Sequence, residues 1–174
     1  STVIDKDTHA FWNQLISILE ANDIPYMFTG SLGCILYGEP RSTNDVDIVI
    51  SPDEAQMNGL ITALEPTAYV SPEAARDALR RRKMFNTIDF ETSEKADFII
   101  VKSREYSQVE FERRMLVTYE GLRFMCVTPE DSILSKLEWA ERGQSERQLR
   151  DVAGIIRAQK DSLDWAYLRK WAAE

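Results

Sequence analysis

The chain has 174 residues, of which 44% are hydrophobic, and a formal net charge of −8. This length fits one domain, or one domain with a small extension; the apolar fraction excludes wholesale disorder, and the acidic balance disfavours nucleic-acid binding by the whole surface. A single histidine, His9, excludes histidine-rich zinc sites and leaves most serine and cysteine hydrolases without their base unless His9 takes that role. We therefore expect any chemistry to rest mainly on carboxylates.

The sequence also bears on the compartment of the protein. Two cysteines, Cys34 and Cys126, cannot form a disulfide scaffold, which favours a reducing environment. No apolar run approaches the roughly 18 residues of a membrane-spanning helix, and residues 1–10 are too polar for the apolar part of a signal peptide. We expect a cytoplasmic protein without a membrane span.

The first half of the chain alternates between helical and strand patterns. In chain order, these patterns predict a helix over 8–21, a strand over 26–29, a short helix from 30 to about 37, a strand over 46–50, and a helix to about 64. We interpret Ser51-Pro52-Asp53-Glu54 as the capping box of that last helix, with proline at the first helical position. Ser71-Pro72-Glu73 repeats this start signal for a helix that ends in the basic run Arg80-Arg81-Arg82-Lys83.

In the second half, the pattern of predicted elements changes near residue 127. Strands are predicted over 85–90 and 96–101, a helix over 105–114, and a hairpin of strands over 115–119 and 122–127. Beyond it come only helices, one capped at Thr128, one capped at Ser145 and a last one over about 162–172. We predict an α+β fold with a mixed β-sheet flanked by helices, in which residues 1–127 form the core. Residues 128–174 are predicted to form a C-terminal helical extension packed on the same core.

The segment from 29 to 50 carries the most informative residues. A strand leads into Gly30-Ser31 at a helix start, where free backbone N–H groups favour a phosphate. After thirteen intervening residues comes Asp45-Val46-Asp47, on a strand where positions two apart share a face. Paired carboxylates repel each other unless a cation lies between them, and such oxygen ligands suit Mg²⁺ or Mn²⁺. Asp-x-Asp alone favours two solvent-facing aspartates, but its combination with Gly-Ser favours a metal and phosphate site.

This combination of motifs resembles the signature of the polymerase-beta-type nucleotidyltransferase superfamily. Within that superfamily, the context Arg41-Ser42-Thr43-Asn44-Asp45-Val46-Asp47 resembles the AbiEii-like (MenT-like) branch, whose members are often toxins of toxin–antitoxin pairs. Two later stretches, 128–137 and Arg150-Asp151-Val152, resemble the same branch. The resemblance covers about residues 24–158.

The resemblance implies a nucleotidyltransferase fold and a metal-dependent transfer of a nucleoside monophosphate from an NTP to an acceptor hydroxyl. The acceptor would be an RNA or tRNA 3′ end, a protein or a small molecule, and a cognate antitoxin would be a partner. Gly30 and Ser31 would hold the β- and γ-phosphates, and Asp45 and Asp47 would bind one or two divalent ions, Mg²⁺ or Mn²⁺.

The resemblance further implies a third carboxylate on a neighbouring strand, which helps to bind the metal and activates the acceptor hydroxyl. We choose Asp97, which opens the predicted strand 96–101. Asp89 is its rival, because a hairpin would bring the two aspartates close together.

Three further residues are candidates for nucleotide binding. Lys136 resembles the phosphate-binding lysine of the family, but it could equally cover apolar surface on a helix. Asp151 resembles a supporting carboxylate, although pairing with Arg147 or Arg150 on a solvated face is an alternative. Arg41 either steers a phosphate or an acceptor, or closes its loop.

Two other features have competing interpretations. The basic run at 80–83 could receive a polynucleotide, but runs of like charge are usually only solvated. Trp139, Trp165 and Trp171 lie at helical spacing, which favours core packing over base stacking. The alternative function is a catalytically inactive nucleotide- or partner-binding module on the same fold. The retained aspartates favour the enzyme.

Overall fold

The computed structural model of the chain describes residues 4–38, 45–143 and 145–174. Its strands are β1 (Tyr26–Thr29), β2 (Asp45–Ile50), β3 (Ala68–Val70), β4 (Met84–Asp89), β5 (Lys95–Ile100), β6 (Met115–Tyr119) and β7 (Leu122–Cys126). Its helices are α1 (Lys6–Ala21), α2 (Ser31–Tyr37), α3 (Glu54–Leu64), α4 (Pro72–Arg81), α5 (Glu105–Glu112), α6 (Pro129–Glu141), α7 (Ser145–Gln159) and α8 (Trp165–Ala172). Within these residues, no helix combines the length and the apolar character that crossing a bilayer requires.

The strands form one mixed sheet in the order β3-β4-β5-β2-β1-β7-β6. β2 is parallel to β5 and antiparallel to β1, and β1 is parallel to β7. The remaining pairs are antiparallel. The predicted α+β fold with a mixed sheet is therefore confirmed.

The two faces of the central strands differ in character. Alternate residues of β2 and β5 are buried, as the two-residue period of a strand requires: Val46, Ile48, Ile50, Ala96, Phe98 and Ile100. They join one large hydrophobic cluster with side chains of α1, α3 and α4, among them Trp12, Leu19 and Leu60. The opposite parity directs Asp45, Asp47 and Asp97 to the other face of the sheet. The core thus fixes which face carries the aspartates.

Helix α2 connects the sheet to the C-terminal helices. Its Cys34 and Tyr37 belong to a second hydrophobic cluster with apolar residues of α6, α7 and α8. Leu36 packs against both clusters, and the Tyr37 hydroxyl donates a 2.7 Å hydrogen bond to the carbonyl oxygen of Val127. The helices that follow residue 127 therefore lie against the segment that leads out of β1.

The structure corrects one of the predicted helix starts. Asp53, not Ser51, is the N-cap of α3, and Asp53 and Gln56 form the capping box. Pro52 therefore precedes the cap. The caps predicted at Ser71 and Thr128 are confirmed, because each side chain accepts a hydrogen bond from a backbone N–H three residues on.

Candidate active site

A cleft of about 450 Å³ opens on the polar face of the sheet. Its floor consists of strand residues, namely Thr29, Asp47, Val49, Met84, Asp97 and Ile99. Its walls are α5, α6 and the start of α7. Among the described lining residues, basic side chains slightly outnumber acidic ones: Lys102, Arg104, Lys136, Arg142 and Arg147 against Asp47, Asp97, Glu110 and Glu138. In a chain of net charge −8, this is a favourable place for an anion of small-molecule size.

A glycine–serine turn (Gly30 and Ser31) lies at one end of the cleft, where β1 leads into α2. Gly30 has a φ of +71°, a backbone conformation that residues with a side chain rarely adopt. A β-carbon at this position would also collide with the Oδ2 atom of Asp47. The backbone of the turn and a carboxylate of β2 therefore approach each other as closely as only glycine permits.

Asp47 and Asp97 form a carboxylate pair at the same register position of the parallel strands β2 and β5. Burial, followed by the charges of Asp97 and Asp45, raises the pKa of Asp47 to about 6, while Lys136 and Lys95 act in the opposite direction. The Oδ1 atom of Asp97 is buried without a hydrogen bond to any described residue, although the Nζ atom of Lys95 lies 3.5 Å away. The negative charge of this pair is thus only partly balanced.

The carboxylate pair fits a divalent cation. A cation would supply a partner for the buried Asp97 oxygen and relieve the repulsion that raises the pKa of Asp47. Asp45 lies at the exposed start of β2, at the register position of Lys95. In the described part of the chain, no three His, Cys, Asp or Glu side chains form a cluster that could hold a metal ion. The fit rests on two carboxylates, with Asp45 near them.

The rival aspartate, Asp89, lies in a different environment. Its Oδ2 atom accepts hydrogen bonds from the hydroxyl and the backbone N–H of Thr92, so it caps the turn after β4. On β4 it is Asn86 that lies opposite Asp97, and a residue three positions further on faces the other side of the sheet. The structure therefore places Asp97, and not Asp89, beside Asp47.

Lys136 lies in the cleft wall on α6 and forms an ion pair with Asp151 of α7. The Nζ and Oδ2 atoms are 3.3 Å apart, and the two side chains are only 7% and 10% exposed. The charge of Lys136 lowers the pKa of Asp47. Lys136 lines the cleft, whereas its partner Asp151 is not among the described residues that line it. Arg41 lies outside the described residues.

Two cleft residues are not among the predicted site residues. Glu110 of α5 accepts a 2.7 Å hydrogen bond from the Ser135 hydroxyl, and burial raises its pKa to about 7. Trp139 lies in the wall and is 51% exposed. Core packing was the wrong expectation for Trp139 and for Trp165, which is 40% exposed, whereas Trp171 packs against the second cluster.

Comparison with known proteins identifies the fold. No family model matches the chain, and no curated protein matches it. The antibiotic-resistance factor ANT(2'')-Ia superimposes with a TM-score of 0.64 at 12% identity, covering 98% of this chain and 91% of that one. A nucleotidyltransferase-like antigenic protein from Paracoccidioides brasiliensis gives a TM-score of 0.62 at 17% identity, covering 98% and 88%. The lincosamide antibiotic adenylyltransferase LnuA gives 0.55 at 13% identity, covering 88% and 99%. The chain has the nucleotidyltransferase fold.

Proposed function

We propose that this protein transfers a nucleoside monophosphate from an NTP to an acceptor hydroxyl in the presence of Mg²⁺ or Mn²⁺. The observation that carries the proposal is the close approach of Gly30 to Asp47, the register partner of Asp97, at the floor of a cleft. A triphosphate needs backbone N–H groups and cations, and its metal needs carboxylates. This cleft offers both in one place.

The triphosphate would lie between the glycine–serine turn and α6. At Gly30 the backbone can approach a phosphate oxygen closely, and the Ser31 hydroxyl can donate to another. Lys136 would contribute a positive charge, with Asp151 holding its side chain in place. Arg41 stays a predicted phosphate or acceptor contact.

The carboxylates would hold the metal and the acceptor. Asp45, Asp47 and Asp97 are the proposed ligands. A bound divalent ion would stabilise the charge that develops on the α-phosphate and on the departing pyrophosphate. The acceptor oxygen forms the new bond to the α-phosphorus as the bond to pyrophosphate breaks, and Asp97 accepts the hydroxyl proton.

We propose a small molecule as the first acceptor class. ANT(2'')-Ia has been solved in complex with adenylyl-2''-tobramycin, and LnuA with lincomycin bound. The net charge of −8 is unfavourable for a long RNA. A tRNA acceptor, a toxin role with a cognate antitoxin, and a cytoplasmic location have their support in the sequence alone.

Transfer of label from α-³²P-labelled NTPs tests the function. Each NTP is incubated with Mg²⁺ or Mn²⁺ and with aminoglycosides, lincosamides, total tRNA or protein, and released pyrophosphate is measured in parallel. We expect label on one acceptor class, lost in Asp97→Asn and retained in Asp89→Asn. Nucleotide binding without pyrophosphate release on any acceptor would favour the inactive binding module. Loss of transfer in Asp89→Asn alone would refute the choice of Asp97.

A further inference from the structure

Trp139 is a large apolar side chain that the fold leaves half exposed inside the cleft. Trp12, by comparison, is 1% exposed. Exposed indole surface is unfavourable in water, and burying it against an apolar or aromatic group would be favourable. Trp139 lies in the wall of a cleft with proposed phosphate-binding groups at one end, so an aromatic group attached to a phosphate is the kind of ligand that this position favours.

The residues of α6 that line the cleft lie in a row along one side of the helix. Ser132, Lys136, Trp139 and Arg142 are three or four positions apart, so they share one side of the helix, and all of them line the cleft. The Ser132 end lies beside α2, because a β-carbon on Gly33 would collide with the Ser132 hydroxyl. Trp139 is roughly 10 Å further along the helix axis than Ser132 and roughly 4.5 Å beyond Lys136. It is therefore one helical turn further from the α2 end than the proposed phosphate contact.

The surroundings of the indole are held in place by ionic contacts. The Arg142 guanidinium lies 5.7 Å from the ring centroid of Trp139 and bonds to Glu138 at 3.0 Å. Glu138 also accepts two hydrogen bonds from Arg104, at 2.7 and 2.8 Å. These bonds lower the pKa of Glu138, so that it stays charged. The charged groups of Arg104, Glu138 and Arg142 beside Trp139 are thus paired with one another.

We propose that Trp139 is the surface on which the base of the NTP stacks. This inference rests on the proposed function, because it requires the triphosphate to lie at the glycine–serine turn and Lys136. The ribose then carries the base one helical turn along α6, to the exposed indole. Because every base has an aromatic face, stacking alone predicts binding of all four NTPs, with purines held more tightly than pyrimidines.

Calorimetric titrations with ATP, GTP, CTP, UTP and inorganic tripolyphosphate, each with Mg²⁺ and with Mn²⁺, test the stacking. We expect Trp139→Ala to weaken NTP binding by roughly 5- to 150-fold, the range that one stacked base corresponds to. Tripolyphosphate has no base, so its affinity should not change. We expect NTP to quench the tryptophan fluorescence of the wild type, and Trp139→Phe should keep most of the NTP affinity but lose this quenching. Trp165→Ala is the matched control, since Trp165 is 40% exposed but is not among the described cleft residues.

The possible failures are distinguishable. Wild-type NTP affinity in a folded Trp139→Ala variant overturns the stacking and leaves the proposed function standing. An equal loss of tripolyphosphate affinity also overturns it, because the indole would then support the phosphate site and not the base. If the wild type binds neither NTPs nor tripolyphosphate with either metal, the proposed function fails and the stacking fails with it.

Discussion

Asp47 and Asp97 lie at the same register position of two neighbouring parallel strands, so two carboxyl groups share the floor of the cleft. Parallel strands are about 4.8 Å apart, and at this separation the charge of Asp97 opposes ionisation of Asp47. Burial and this repulsion together raise the pKa of Asp47 to about 6. Without a cation, ionised Asp47 therefore lowers the free energy of unfolding relative to an uncharged side chain at this position.

Asp47→Asn should stabilise the metal-free protein at high pH. The pKa of Asp47 is about 6 in the folded state, above the ordinary value of 3.8. The stability that Asp47 contributes in its protonated form is therefore fully present below pH 3.8 and is lost as pH rises through 6. At pH 8 we expect the variant to gain about 1–2 kcal/mol in the free energy of unfolding, with little gain at pH 4. Urea unfolding in EDTA followed by circular dichroism measures both.

Asp89→Asn is the control for that prediction. It removes a carboxylate that caps a turn, so it should lower the free energy of unfolding by about 1 kcal/mol at pH 8. A similar loss in Asp47→Asn at pH 8 would mean that Asp47 is stabilising and that the repulsion is unimportant.

Gly30→Ala should damage both the fold and nucleotide binding. The added methyl group meets a φ of +71° and the Oδ2 atom of Asp47. Gly121→Ala is a matched control, because its φ is +79° but no described atom lies within 4 Å of the added carbon. We expect Gly121→Ala to cost about 1 kcal/mol from the backbone alone, and Gly30→Ala to cost more and to weaken NTP binding. Equal melting temperatures for the two variants would argue against the close approach.

Lys136→Met separates a phosphate contact from a structural ion pair. Removing one partner of a buried pair costs about 3 kcal/mol, because the buried Asp151 carboxylate loses the contact with Lys136. The double variant Lys136→Met/Asp151→Asn should recover most of that stability and should still bind NTP weakly. Recovery of NTP affinity along with stability would show that Lys136 acts only through the fold. Thermal unfolding and nucleotide titration of the three proteins provide the comparison.

Glu110→Gln should change the pH dependence of stability. Burial raises the pKa of Glu110 to about 7, from an ordinary value of 4.5. The stability that this group contributes is therefore complete below pH 4.5 and is lost as pH rises through 7. Relative to the variant, the wild type should lose roughly 1–3 kcal/mol in the free energy of unfolding between pH 5 and pH 8. Parallel unfolding curves with the same pH dependence would contradict the buried position of this carboxyl group.

Strand parity accounts for one part of the site. The two-residue period of a strand predicts that Asp45 and Asp47 share a face. The choice of Asp97 rests on the family resemblance, and the pairing of β2 with β5 places it at the register position of Asp47. Cap signals were less specific: both Ser51 and Asp53 can cap a helix, and the structure uses Asp53. β3 has only three residues, too few for a pattern.

The remainder of the site depends on which helix faces pack against the core and which border the cleft, and this follows only from the tertiary structure. Helical spacing identifies residues that share a face, but Trp139 and Lys136 share a face that borders the cleft and not the core. Glu110 enters the site only because α5 forms a wall of the cleft. The division of the chain at residue 127 stays a prediction, and Leu36, which packs against both hydrophobic clusters, is the residue at which to probe it.

Calorimetric titration of the four NTPs into the wild type and into Asp45→Asn/Asp47→Asn, with Mg²⁺ and in EDTA, tests the central claim most directly. The claim is that a triphosphate and its metal meet at the carboxylates beside the glycine–serine turn. It predicts NTP binding to the wild type that requires Mg²⁺ and is lost in the double variant. Binding that is equally tight in the double variant, or no binding of any NTP to the wild type, would contradict it.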